Sequence, residues 1–86
     1  MNEKTALVTG SSIGIGRAII LELAENGYQV VINYLHSEKQ AHELQKKVQR
    51  EYGVKCLAIC ADVSDENQVD AMITQIEAEL GGVDIL

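Results

Sequence analysis

Leu7-Val8-Thr9-Gly10-Ser11-Ser12-Ile13-Gly14-Ile15-Gly16 reads as a strand that ends in a glycine turn and continues at once into a helix. A diphosphate approaches a backbone closely only where side chains are missing, and Gly10, Gly14 and Gly16 have none. Glycine also reaches positive φ at little cost, so the chain can reverse within a few residues and turn its N–H groups outward. The helix that opens near Gly14 points its N-terminus, with unpaired N–H groups and about half a positive charge, at the same place. This arrangement predicts a seat for a dinucleotide pyrophosphate, contacted by Gly10, Ser11, Ser12, Ile13, Gly14, Ile15 and Gly16. Ser11 and Ser12 carry two readings, as turn formers or as phosphate and ribose contacts. The spacing is G-x-x-x-G-x-G, which differs from the G-x-G-x-x-G fingerprint.

Outward from this stretch, strand and helix patterns alternate three times, which argues for a parallel sheet with right-handed crossovers. Lys4 to Thr9 is the first strand. Ile15 to Asn26 is helical, with Ile15, Ile19, Ile20 and Leu23 on one face and Gly27 as its stop. Tyr28 to Tyr34 is the second strand, and Ser37 with Gln40 forms a Ser-x-x-Gln capping box that opens a second helix. Ala41, Leu44, Val48 and Tyr52 make its buried stripe. Val54 to Ala61 is the third strand; Ser64 caps a third helix whose first turn carries Asp65 and Glu66, and whose stripe is Val69, Met72, Ile73, Ile76 and Leu80. Gly81-Gly82 ends that helix, and Val83 to Leu86 starts a fourth strand.

The predicted fold class is α/β: a Rossmann-type three-layer fold with helices on both faces of a parallel sheet of strand order 3-2-1-4, the fourth strand truncated. Residues 1–86 are expected to be the N-terminal portion of a single NAD(P)-binding domain, since no proline, linker or low-complexity segment marks a second one. The fourth strand is then a raw edge, with apolar surface beside it that predicts self-association or instability.

Composition narrows the function classes. A formal net charge of −6 argues against a nucleic-acid partner, which requires a basic patch. No run approaches the roughly 20 apolar residues of a membrane span, and the N-terminus has no signal-peptide core, so a cytoplasmic location is expected. Cys56 and Cys60, four apart on a strand, would place their Cα atoms roughly 13 Å apart, too far for a disulfide. With no histidine beside them, they are read as buried structural thiols in a reducing compartment, and no metal site is expected. His42 is read as an exposed mid-helix residue.

Thr-Gly-x-x-x-Gly-x-Gly after a buried strand resembles the cofactor motif of the short-chain dehydrogenase/reductase family, in its classical branch. Asp62-Val63 after the third strand, Gly82-Val83-Asp84-Ile85-Leu86 before a fourth, and the Tyr28 to Tyr34 strand fit the same pattern. The resemblance spans the chain and implies that Thr9 fixes the turn through a hydrogen bond, that Asp62 lies near the adenine ring and that Val63 adds a backbone contact. It also implies an Asn-Asn-Ala-Gly segment, a catalytic serine and a Tyr-x-x-x-Lys pair, none of which is present. The residues four beyond Tyr28, Tyr34 and Tyr52 are Ile32, Glu38 and Cys56, so no catalytic residue is assigned and the chain alone is expected to be inactive.

The end of the second strand bears on the choice of cofactor. NAD sites commonly offer a carboxylate to the ribose hydroxyls there. Asn33-Tyr34-Leu35-His36-Ser37 holds no acid, and Asn33, His36 and Ser37 could donate hydrogen bonds to a 2′-phosphate. NADP is therefore favoured over NAD, although Ile13 stands where NADP-binding family members often carry a basic residue. The resemblance implies hydride transfer between NADP(H) and a carbonyl, alcohol or acyl-carrier substrate, in a homo-oligomer most similar to bacterial 3-oxoacyl-acyl-carrier-protein reductases. Two other readings stand beside it: a short chain that binds nucleotide without catalysis, and an inactive remnant. A methyltransferase fits less well, because the second strand lacks an acidic end.

Overall fold

The computed structural model describes residues 4–85. Three strands, β1 (Thr5–Val8), β2 (Gln29–Tyr34) and β3 (Cys56–Cys60), alternate with three helices, α1 (Gly14–Glu25), α2 (Glu38–Tyr52) and α3 (Glu66–Leu80). All strand pairs are parallel and β2 is central, with Ala6 opposite Val30 and Ile32 opposite Ala58. The chain then returns to the other edge of β1, where Ile85 forms a parallel bridge with Ala6. The spatial order is thus 3-2-1 with the first contact of a fourth strand, as the alternation predicts. That strand is a single bridge here, and Leu86 lies outside the described residues.

Alternation along each strand separates two apolar layers. Val30 and Ile32 of β2 pack with Cys56 of β3, Ile20 and Ala24 of α1, and Ala41, Leu44 and Val48 of α2. On the opposite face Leu7, Val31, Ile59 and Ala61 meet Met72 and Ile76 of α3. Each layer rests on β-branched residues buried on both faces, as a parallel sheet requires.

The stripe predicted for α2 is present, with Tyr52 half-buried at its end. That of α3 is narrower, since only Met72 and Ile76 are buried while Val69, Ile73 and Leu80 are partly covered. The face predicted for α1 holds in part: Ile20 is buried and Leu23 packs against the core, but Ile15 and Ile19 do neither. Ile20 and Ala24 are buried, whereas Ile15 is 82% exposed and Ile19 43% exposed. The apolar arc of α1 is wider than the arc that meets the sheet, so periodicity alone could not select the buried side. Ile19 and Leu23 border an open apolar cleft of about 570 Å³ shared with Leu7, Val8 and Ile85.

Three local expectations are also corrected. Ser37 stands at the N-cap of α2 but its side chain makes no capping bond, and α3 is capped by Asp65, not Ser64. Cys56 is buried but Cys60 is exposed, because it falls at the carboxyl end of β3, where its Sγ lies 3.7 Å from the Leu35 carbonyl. Burial pushes the Cys56 thiol from 9.0 up to about 12.

Candidate functional site

The carboxyl ends of β1, β2 and β3 gather the predicted site residues on one rim of the sheet. Beyond Val8 the chain turns through Thr9 and Gly10, and α1 begins at Gly14. Gly10 and Gly14 have φ of 57° and 61°, a left-handed backbone that strains any residue with a Cβ. Gly16 is required for a different reason: a Cβ there would lie 2.5 Å from the Gly10 carbonyl oxygen and 2.7 Å from the Ser11 Cα. The first turn of α1 therefore presses directly against the backbone of the loop before it.

The N-terminus of α1 is left open. Its N-cap, Ile13, has extended backbone and no side-chain acceptor, and the first turn carries no acidic residue. The amides of the first turn have no intrahelical partner, and the positive end of the helix meets no compensating charge from its own cap. An anionic ligand completes such an end.

Asn33 holds this turn in place. Its Oδ1 accepts from the Gly10 N–H at 3.1 Å, and its Nδ2 donates to the Ala61 carbonyl at 3.1 Å and approaches the Met72 sulfur at 3.8 Å. Ser11 completes the lock: its hydroxyl donates to the Val8 carbonyl at 2.6 Å and accepts from the Asn33 N–H at 3.1 Å, while its own N–H donates to the Asn33 carbonyl at 3.0 Å. Both side chains are buried and satisfied within the protein. The expectation that Asn33 donates to a phosphate thus gives way to a bracing role. Ser11, not Thr9, ties the turn, since Thr9 is exposed and its hydroxyl makes no hydrogen bond among the described residues. An amide following Val30-Val31-Ile32 was the available signal, because a buried polar group in such a run must find partners.

Tyr34 faces the α2 side, buried, with its hydroxyl 3.4 Å from His42 Nε2. Burial first, then the carboxylate of Glu38 and the Cys60 thiol, raise its pKa. His36 and Ser37 lie in the bend leading to α2, His36 exposed. Asp62 and Val63 follow β3. The Ser64 hydroxyl donates to Asp62 Oδ1 at 2.6 Å and the Ser64 N–H at 2.9 Å; these bonds, with a smaller pull from His36, lower the Asp62 pKa. No hydrogen bond among the described residues reaches Asp62 Oδ2, so one carboxylate oxygen on the rim remains available. No cluster of metal-binding side chains occurs among the described residues, and no helix there is long and apolar enough to cross a membrane.

An anion-ready turn on the first strand, braced from the second and facing an acid after the third, defines a dinucleotide-binding α/β unit of the Rossmann type. The short chain dehydrogenase family model matches residues 4–86, and the chain belongs to that family.

The chain is similar to 3-oxoacyl-acyl-carrier-protein reductase FabG of Staphylococcus aureus, 45% identical over 83 residues, which cover 96% of this chain and 33% of that protein. General stress protein 39 of Bacillus subtilis is 42% identical over the same share of this chain and 29% of its own length. The chain thus spans about one third of the curated relatives it matches. Among solved structures, L-sorbose reductase from Gluconobacter frateurii, complexed with NADPH and L-sorbose, superposes with a TM-score of 0.87 at 33% identity, over 94% of this chain and 30% of that one. A blue fluorescent protein from a metagenomic library, in complex with NADPH, gives 0.89 at 36% identity over 96% and 34%.

Proposed function

We propose that this chain supplies the NADP(H)-binding portion of a reductase of its family, in which hydride passes between NADP(H) and a carbonyl or alcohol. The favoured substrate class is a 3-oxoacyl group on acyl carrier protein. One observation carries the cofactor reading: α1 starts uncapped on a glycine turn that Asn33 and Ser11 hold rigid. The resemblance to a 3-oxoacyl-acyl-carrier-protein reductase supports the substrate class, and the NADPH in two similar structures supports the cofactor.

The proposed division of labour is as follows. Backbone N–H groups from Ser12 through Gly16 hold the diphosphate. Asp62, through Oδ2, accepts a hydrogen bond from the adenine edge, and the Val63 backbone adds a contact beside it. Ser37 and His36 flank the ribose. Asn33, Tyr34 and Ser11 position these groups from behind. The nicotinamide, when bound, supplies or accepts the hydride. None of Tyr28, Tyr34 and Tyr52 has a lysine four positions on, so no proton-transfer role falls to a residue of this chain.

Titration of the chain with NADPH, followed by nicotinamide fluorescence and by amide resonances of residues 10–16, tests the reading. Saturable binding that 5′-ADP reverses is expected, with the largest resonance shifts at Gly14 to Gly16. Absence of saturable binding by both NADPH and 5′-ADP at millimolar concentration would reject it.

A further inference from the structure

The edge of the sheet at β3 is a place where a further strand could add, and its sequence invites one. Cys56-Leu57-Ala58-Ile59-Cys60 is apolar, with no charge and no proline. That is the composition of a segment that pairs with other strands wherever its backbone is exposed.

The register shows which backbone groups face outward. Along an edge strand of a parallel ladder, residues alternate between bonding the neighbour and pointing away from it. Val30 donates to the Lys55 carbonyl at 3.0 Å and Ala61 donates to the Tyr34 carbonyl at 2.9 Å. Val30, Ile32 and Tyr34 stand opposite Cys56, Ala58 and Cys60. Lys55, Leu57, Ile59 and Ala61 therefore turn their N–H and C=O groups toward β2, while Cys56, Ala58 and Cys60 turn theirs toward the open edge.

Three glutamines close part of that edge. Gln45 and Gln49, one turn apart on α2, both donate through Nε2 to the Cys56 carbonyl, at 2.8 and 3.3 Å. Two donors occupy both lone pairs of that oxygen. At the other end the Asp62 N–H, next in the same alternation, donates to Gln68 Oε1 of α3 at 2.8 Å. α2 and α3 pack on opposite faces of the sheet, so the edge is closed from both sides. Between these caps the N–H and C=O groups of Ala58 and Cys60 meet no partner from another segment among the described residues. A strand added there bonds only about two residues of β3, short of the usual five or so.

We propose that Gln45, Gln49 and Gln68 guard the edge of β3: they keep it the last strand of the sheet and prevent a second copy of this chain from adding its own β3 there. The inference does not depend on the dinucleotide reading.

The test reads the edge itself by amide exchange. In the wild-type chain the Ala58 and Cys60 amides are expected to exchange at the same rate from micromolar to millimolar protein, because nothing pairs with them. In Gln45→Ala/Gln49→Ala, which keeps good helix formers on α2, both amides should become protected as concentration rises. Edge pairing is expected to tighten about tenfold, the worth of one or two hydrogen bonds. Adding Ala58→Pro to that double variant removes an outward N–H, a change that an edge strand tolerates, and should return Cys60 to concentration-independent exchange. The Val30 amide, bonded to Lys55, reports in each variant that the sheet is intact. Gln45→Ala alone frees one lone pair and gives the same change at reduced size, which keeps the test open where the double substitution loosens the sheet. Association beside Ile85, at the opposite edge, protects neither Ala58 nor Cys60, so the two edges are read apart. Concentration-dependent protection of Ala58 and Cys60 in the wild type, or its absence in the variants while Val30 stays protected, overturns the proposal.

Discussion

The starts of α1 and α3 are opposites. Asp65 caps α3, accepting from the N–H groups of Asn67 and Gln68 at 2.9 and 3.3 Å, and Glu66 adds a negative charge in the first turn. At α1 the cap is Ile13, with no acceptor and no acid. A helix needs its first amides satisfied, and a chain selected for stability alone would cap both. The difference teaches where the protein completes itself and where it leaves an end open: α3 carries its own counter-charge, and α1, in the function proposed above, takes one from the cofactor.

The severest way to break this contrast is to spoil the open end sterically. Gly16→Ala puts a methyl group 2.5 Å from the Gly10 carbonyl oxygen, so the turn must move off the helix. A stability loss of about 2–3 kcal/mol in urea unfolding is expected, with 5′-ADP affinity down about a hundredfold. Unchanged affinity would show that the turn is not the seat of the phosphates.

Removing the brace behind the turn comes next. Asn33→Leu leaves the Gly10 N–H and the Ala61 carbonyl without their partner and should cost about 2–3 kcal/mol. Asn33→Asp keeps the acceptor for Gly10 but sets a carboxylate oxygen against the Ala61 carbonyl. It is expected to destabilise the chain without improving NAD binding, and a switch of preference toward NAD would refute the bracing role.

The contrast is sharpened by making each helix start resemble the other. Ile13 is 54% exposed, so Ile13→Asp loses little packing while adding a cap. Stability should rise by about 1 kcal/mol as 5′-ADP affinity falls about tenfold, because the carboxylate occupies the same amides. Asp65→Ala should do the reverse, costing about 1 kcal/mol with affinity unaltered. If Ile13→Asp leaves affinity intact, α1 is not the anion site.

The smallest effect separates the two regions by pH. The Asp62 carboxyl, just ahead of α3, is held below its usual 3.8 chiefly by the Ser64 hydroxyl, then by the Ser64 N–H. Its contribution is therefore present above pH 3.8 and is lost as pH falls through the lower folded-state value. Amide exchange at Ser64 should quicken over that acid range and become flat in Asp62→Asn, while residues 14–16, whose N–H groups donate to no carboxylate among the described residues, show no such step.

Much of this contrast is legible in the sequence. Gly10, Gly14 and Gly16 announce the turn, because glycine takes the φ of the first two at least cost and only glycine fits the close contact of the third. The apolar runs Val30-Val31-Ile32 and Cys56-Leu57-Ala58-Ile59 announce strands buried on both faces. Caps and faces were harder to read. Ser64 and Asp65 are adjacent residues of the same capping type, and only the backbone path decides between them. Ile15, Ile19 and Ile20 are equally apolar, and the Gly16 contact sets the roll of α1 that exposes the first two. For Asn33 the run Val30-Val31-Ile32 signals only that its amide must find partners; which partners, Ala61 and Met72, depends on segments distant in sequence.

Cys56 and Cys60 share a strand face and differ in fate, one buried with its thiol held protonated to about pH 12 and the other exposed at the strand end. A thiol reagent at neutral pH therefore counts one sulfur in a native molecule and two in an unfolded one. The chain carries its own stoichiometric census of folding.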